Sequence, residues 1–188
     1  IFKIFSDYFL HFENFQIPQI FKLNAILRNL PLKLLNAQNI KVKFVSQKYK
    51  IENFENKFEQ RAFLKGEVLV REDNLHDYFN ALMWIKYPKS KSLINKLQFK
   101  ELEKSRNINR TKNGDFLTQF DEDGMIVLYN DYSLIELVKN FSWMELFCEK
   151  RSILKGKISF FPFGHALFEK LTNPFIGITS KSIFICIE

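Results

Sequence analysis

The sequence predicts an α+β fold: a single compact domain with a mixed or antiparallel sheet and several packed helices. Three observations predict it. Candidate strands near residues 40, 58, 116, 125, 157 and 183 interleave with helical periods too irregularly for parallel βαβ repeats. Residues 116–120 and 125–129 flank Asp121-Glu122-Asp123-Gly124, the pattern of a β-hairpin with Gly124 at positive φ, which fixes at least one antiparallel pair. Apolar residues make up 46% of the 188-residue chain, with 22 Phe, enough for a real core.

The elements follow in order. Residues 1–12 carry Ile1, Ile4, Phe5, Tyr8, Phe9 and Phe12 at helical spacing. A second helix starts at Pro18, which the first helical turn tolerates, carries Ile20, Phe21, Leu23, Ile26, Leu27 and Leu30 as its apolar residues, and is followed by Pro31. Residues 1–35 thus form a helical N-terminal part ahead of a core over 40–188. Residues 40–45, IKVKFV, alternate as a half-exposed strand. Residues 54–64 read as extended up to a Lys65-Gly66 turn, with Glu59 and Arg61 on one face as an ion pair or a site edge.

Residues 71–88 form the central helix. Asn74 is its N-cap, and Asp77, three residues on, reaches back as a variant capping box. Leu75, Tyr78, Phe79, Leu82 and Ile85 make its apolar face, and Pro88 ends it. His76 and Asn80, at i and i+4, share another face. Residues 89–104 form a further helix with Leu93, Ile94, Leu97 and Leu102 inward and a solvated Lys-rich face. Residues 105–114 are a polar loop whose Arg106 and Arg110 either touch phosphate or sit on a plain surface. After the hairpin, Asp131 or Ser133 caps a helix and the Trp143 segment adds another turn. Residues 157–163 form a strand ending at Pro162. Phe163-Gly164-His165 opens a helix through Leu171, and residues 183–187 close the chain as a buried strand.

Two histidines therefore stand at helix N-termini. In one reading His76, Asp77 and Asn80 project into a pocket beside Trp84, with histidine as the side chain suited to acid–base work near neutral pH. In the other, His76 is satisfied by backbone and Asp77 only caps. Gly164 lets backbone approach a ligand closely ahead of His165, and free N–H groups there favour anions. The carboxylates of residues 121–123 lack the alternate spacing of a calcium loop and read as a solvated turn.

The run His76-Asp77-x-x-Asn80-Ala81-Leu82-x-Trp84, with Tyr87-Pro88 and Lys91, resembles the signature of a bacterial family, domain of unknown function 3025. Arg71 matches too, as do Asp115-x-Leu117-Thr118-x-x-Asp121-Glu122-x-Gly124 and Trp143-x-Glu145-Leu146-Phe147. So does Phe163-Gly164-His165-Ala166-Leu167-x-Glu169-Lys170-Leu171 with Pro174. The resemblance spans about residues 40–188, departs at Tyr87, where the family usually has Phe, and implies the family's fold but no activity.

Composition narrows the function. Net charge is +7, but through 22 Lys and only 6 Arg spread along the chain, a solvated surface more than a nucleic-acid site. No apolar run approaches membrane-spanning length. Cys148 and Cys186 make neither a zinc site nor a disulfide framework, which fits a reducing, cytoplasmic compartment. The chain opens on Ile1 and reads as a fragment of a slightly longer one. Nucleophile elbow, P-loop, dinucleotide fingerprint and HExxH are all absent.

Three functions stay open. The first is a cytoplasmic enzyme of hydrolase or transferase type. There His76 is the general base, Asp77 orients it or binds a divalent metal, and His165 is the second acid/base or a ligand. Arg71, Asn80 and Thr118 position substrate, and Trp84 is an apolar wall; no recognised metal motif supports the metal. The second is a non-catalytic module binding a small anionic ligand or, less favoured, nucleic acid. The third is a structural or partner-binding domain.

Overall fold

Parallel strands need a crossover, and the chain supplies a helical one early. In the computed structural model, which describes Phe5, Ile17 and residues 19–47, 53–105 and 111–188, helix α1 (Ile20–Asn29) is followed by strand β1 (Lys43–Ser46). A 3-10 turn (Phe54–Asn56) and helix α2 (Phe58–Lys65) then lead to β2 (Glu67–Val70). β2 pairs parallel with β1, Phe44 opposite Val68. The strand expected over residues 54–64 is thus a helix. Phe58, Ala62 and Phe63 follow helical spacing, and Gly66 caps α2 at φ 66. A Cβ at Gly66 would lie 2.6 Å from the Lys41 carbonyl, so both conformation and space demand glycine. Glu59 and Arg61 do not pair: Arg61 bonds Glu67 at 2.6 Å, and Glu59 accepts from Asn95 at 2.6 Å.

Helix α3 (Leu75–Lys86) follows β2 with the expected cap, Asn74 accepting from the Asp77 backbone N–H at 2.9 Å. Tyr78, Phe79, Leu82 and Ile85 are buried, each worth about 1.5–3 kcal/mol of apolar transfer. The Asp77 carboxylate does not close a capping box. It reaches to Arg71 instead, whose guanidinium is the stronger donor.

Helix α4 (Pro88–Lys104) turns Ile94 inward as expected but departs from expectation at its neighbours. Leu93 and Leu97 are 55% and 37% exposed, whereas Lys91, Ser92, Asn95 and Gln98 are buried. Residues 112–123 form helix α5 (Lys112–Asp123), capped by Thr111, not a loop followed by a hairpin arm. Phe116 and Phe120 are i and i+4, and their rings stack at 6.1 Å. Arg106 and Arg110 lie outside the described residues, as does the helix expected over residues 1–12 except Phe5, buried against Phe168 at 4.8 Å.

Strand β3 (Gly124–Tyr129) leaves α5 without a loop, and Gly124 has φ −66, not a positive value. Helix α6 (Tyr132–Lys139), capped by Asp131, a π-turn (Glu145–Glu149) and helix α7 (Arg151–Leu154) precede β4 (Ile158–Pro162). Helix α8 (His165–Thr172) and β5 (Lys181–Cys186) complete the chain. The sheet order is β4-β3-β5, with β3–β4 antiparallel and β3–β5 parallel. The antiparallel pair exists, but across a 28-residue separation in register (Met125 with Pro162 is its first rung, Tyr129 with Ile158 its last) and not in a hairpin. β5 is not buried: it is an edge strand, exposed at every position. Cys148 and Cys186 are free and exposed.

The molecule is α+β, and its described residues form two small sheets and two apolar clusters. One surrounds α3; the other packs Val127, Leu134, Ile135, Leu146 and Ile158 against the three-stranded sheet. Among the described residues no helix is long and apolar enough to cross a membrane.

Candidate functional site

Two helix N-termini meet because of backbone contacts that leave no room for side chains. Phe163 and Gly164 donate to the Gly124 carbonyl at 2.8 and 2.9 Å, and a Cβ on Gly164 would lie 2.1 Å from the Glu122 carbonyl oxygen. The close approach expected at Gly164 is therefore to the chain's own α5–β3 junction, not to a ligand. It seats α8 against that junction and places His165, its first residue, beside His76 on the first turn of α3.

The two imidazoles touch. Nε2 of His165 lies 3.0 Å from Nε2 of His76, with the rings inclined at 75°. His76 Nδ1 lies 2.9 Å from Glu169 Oε2. A carboxylate only accepts, so Nδ1–H of His76 donates to Glu169. When His76 is neutral its Nε2 then accepts from Nε2–H of His165, which leaves His165 Nδ1 unprotonated. That atom has no bonded partner among the described residues; Asp121 Oδ2 stands 3.7 Å away. Burial, reinforced by the Lys91 ammonium, pushes the His165 pKa down to about 3, against the pull of Asp121. His165 is neutral at physiological pH.

Charge lies beneath this pair. Lys91 Nζ bonds both Asp121 oxygens, at 2.5 and 2.7 Å, with both side chains buried, and also lies 5.8 Å from the Trp84 ring centre. Glu59 bonds the Asn95 amide and has no cation within ion-pair distance among the described residues. Burial, with the Asp121 carboxylate next in weight, raises its pKa to about 7, against the pull of Lys91 and Asn95. It titrates near neutrality.

A cavity of about 300 Å³ opens over these groups. Arg71, His76, Asp77, Asn80, Thr118 and His165, all singled out from sequence, line it together. Arg71 and Asp77 are largely occupied with each other: Asp77 accepts from the Arg71 backbone N–H, Nε and Nη2, each at 2.8 Å. Burial would raise the Asp77 carboxyl, but these bonds outweigh it and hold the pKa below the usual range. Thr118 donates to the Gly114 carbonyl at 3.0 Å. Asn80 buries its Oδ1 with no partner among the described residues. Trp84 is not among the lining side chains; it is buried in the core around α3.

Sequence reasoning missed Lys91, Asp121 and Glu169, and offered Glu59 only as one side of an ion pair or as a site edge. Glu169 had a signal, being four residues beyond His165 on the same helix face. Lys91, Asp121 and Glu169 also fall in the segments that carried the family resemblance. Glu59 was placed on a strand and set beside Arg61, so its partners in the cavity were not legible. Asp121, read as part of a solvated turn, is buried. Among the described residues no three histidine, cysteine or carboxylate side chains converge as a metal-ligand set.

Residues 42–188 match the family model described as Protein of unknown function (DUF3025). The chain belongs to this family. No curated protein and no solved structure matches it. Every residue of the His76–His165 cluster and of the cavity lining lies inside the DUF3025 span, and α1 lies outside it.

Proposed function

We propose that this DUF3025 protein is a cytoplasmic enzyme of hydrolase or transferase type whose paired histidines take a proton from water or from a substrate hydroxyl in the cavity. The observation that carries this reading is the direct Nε2–Nε2 contact at 3.0 Å, backed by Glu169. His76, the more exposed ring, is the general base; Glu169, not Asp77, orients it. A proton arriving at His165 Nδ1 releases the Nε2 proton to His76, so the positive charge comes to rest beside Glu169 and not in the buried ring. Glu59, with its pKa raised to about 7, is a second proton-exchanging group in the cavity. Asp77 and Arg71 hold the first turn of α3, and Asn80 and Thr118 position substrate.

The lining opposes the alternative of an anion or nucleic-acid module. Among the described residues, five carboxylates (Glu59, Asp77, Glu101, Asp121 and Glu122) face the cavity against one guanidinium, that of Arg71.

The test is incubation of purified protein with a small-metabolite extract, read by mass spectrometry, for wild type, His76→Ala and His165→Ala. A compound consumed by wild type and spared by both variants is the expected result. A compound retained but chemically unchanged would establish a binding module instead, and neither binding nor consumption would remove both readings.

A further inference from the structure

We infer that the cavity takes a small organic cation, an amine or amidine of a few carbons. This deepens the proposal above and rests on the same cavity.

The first observation is unmatched charge. Asp77 is paired with Arg71, Asp121 with Lys91, and Glu101 with Lys104. Glu59 and Glu122 have no ion-pair partner among the described residues, so the described lining carries more negative than positive charge inside a protein of net charge +7. The second is independent of charge. Asn80 is only 3% exposed, lines the cavity, and buries an amide oxygen with no partner among the described residues. That oxygen is an acceptor in want of a donor. Leaving such an atom unmade costs about 1–3 kcal/mol, and an ammonium or amidinium brings several N–H groups where an anion brings none.

The third is size and walls. About 300 Å³ is the lower end of small-molecule sites, too large for a bare ion and suited to a few carbons. Phe58 and Leu102 provide apolar surface for those carbons, and an aromatic ring attracts a cation. The groups that bear on Glu59 are Asp121 and Glu122 from α5 and Lys91 from α4. A bound cation adds to the Lys91 effect and favours the ionised form of Glu59, so binding near pH 7 releases a proton.

Isothermal titration calorimetry with ethanolamine, agmatine and benzamidine tests this, against acetate, benzoate, inorganic phosphate and magnesium alone. At least one of the cations is expected to bind wild type saturably. Glu122→Gln should weaken that binding by about three- to tenfold. Affinity should rise up to about tenfold from one unit below to one unit above pH 7, and Glu59→Gln should abolish that rise. Preference for an anion, saturable binding of magnesium alone, or no binding of any amine or amidine overturns the inference. The outcomes separate it from the catalytic reading. Amine binding without turnover leaves the inference and removes the enzyme. Turnover of a neutral or anionic compound, lost in His76→Ala, leaves the enzyme and removes the inference.

Discussion

The two interiors of this molecule are built on opposite terms. Beneath the three-stranded sheet, Val127, Leu134, Ile135, Leu146 and Ile158 pack without a polar group among them, and the edge strand β5 exposes Ile183, Phe184 and Ile185. Between α4 and α5, by contrast, Lys91, Asn95, Gln98, Asp121 and His165 are buried, while Leu93 and Leu97 on the same helix face outward. The sheet core is explained by the removal of apolar area from water alone. The polar interior is not, since buried charge and unpaired acceptors cost free energy that apolar side chains of the same volume would not. A cluster maintained at that cost, next to a cavity, is where a function is to be sought.

The comparison can be broken most severely at its charged centre. Lys91→Met leaves the Asp121 carboxylate buried and unpaired and should lower unfolding free energy by about 3–5 kcal/mol in urea denaturation. Joining it with Asp121→Leu should restore most of the loss, because replacing both partners removes the stranded charge. If the double variant is as unstable as the single one, packing and not charge holds α4 to α5.

Leu134→Ala probes the other interior. Loss of a fully buried side chain should cost about 2–5 kcal/mol, yet leave the NMR titration of the His76 ring as in wild type. A changed titration would show that the two interiors are coupled.

Asn80→Leu should do the reverse of both. It exchanges an unpaired buried amide for apolar surface and should raise stability by about 1 kcal/mol while weakening ligand binding. A destabilised variant would mean that the Asn80 amide is satisfied in solution.

The finest test is a pair of opposed pH slopes. The folded pKa of His165, about 3, lies below its ordinary 6.5, so the unfolded chain binds the extra proton and stability is lost as pH falls from 6.5 toward 3. The folded pKa of Glu59, about 7, lies above its ordinary 4.5, so the folded chain holds the extra proton and stability is lost as pH rises from 4.5 to 7. Between 4.5 and 6.5 the two offset each other. Glu59→Gln should expose a stability that climbs with pH there, and His165→Gln one that falls. Equal slopes in both variants would show that neither group is coupled to folding.

How much of this was legible in the sequence depended on distance along the chain. The cap and apolar face of α3 were, because Asn74 caps through Asp77 and every apolar contact of the pattern lies within four residues. So were α1, β3, β4 and the start of α8. Residues 54–64 and 116–120 failed for the same reason as each other. In short stretches with Phe every four residues or so, alternation and helical spacing coincide, and the deciding partners (β2 through Gly66 for one, Phe163 at 5.3 Å from Phe120 for the other) lie elsewhere in the chain. On α4 Ile94 was read inward correctly but Leu93 and Leu97 were not, and Lys91 is buried only because Asp121, 30 residues away, receives it.

The sequence by itself determined that His76 and His165 each begin a helix, because glycine, asparagine and proline act on their immediate neighbours. Only the tertiary structure decided that these two rings, 89 positions apart, share a proton, that Glu169 stands behind one of them, and that Asp121 is buried and not solvated. Contacts of that kind depend on the seating of α8 against the α5–β3 junction, where Gly164 admits a backbone that any side chain would exclude.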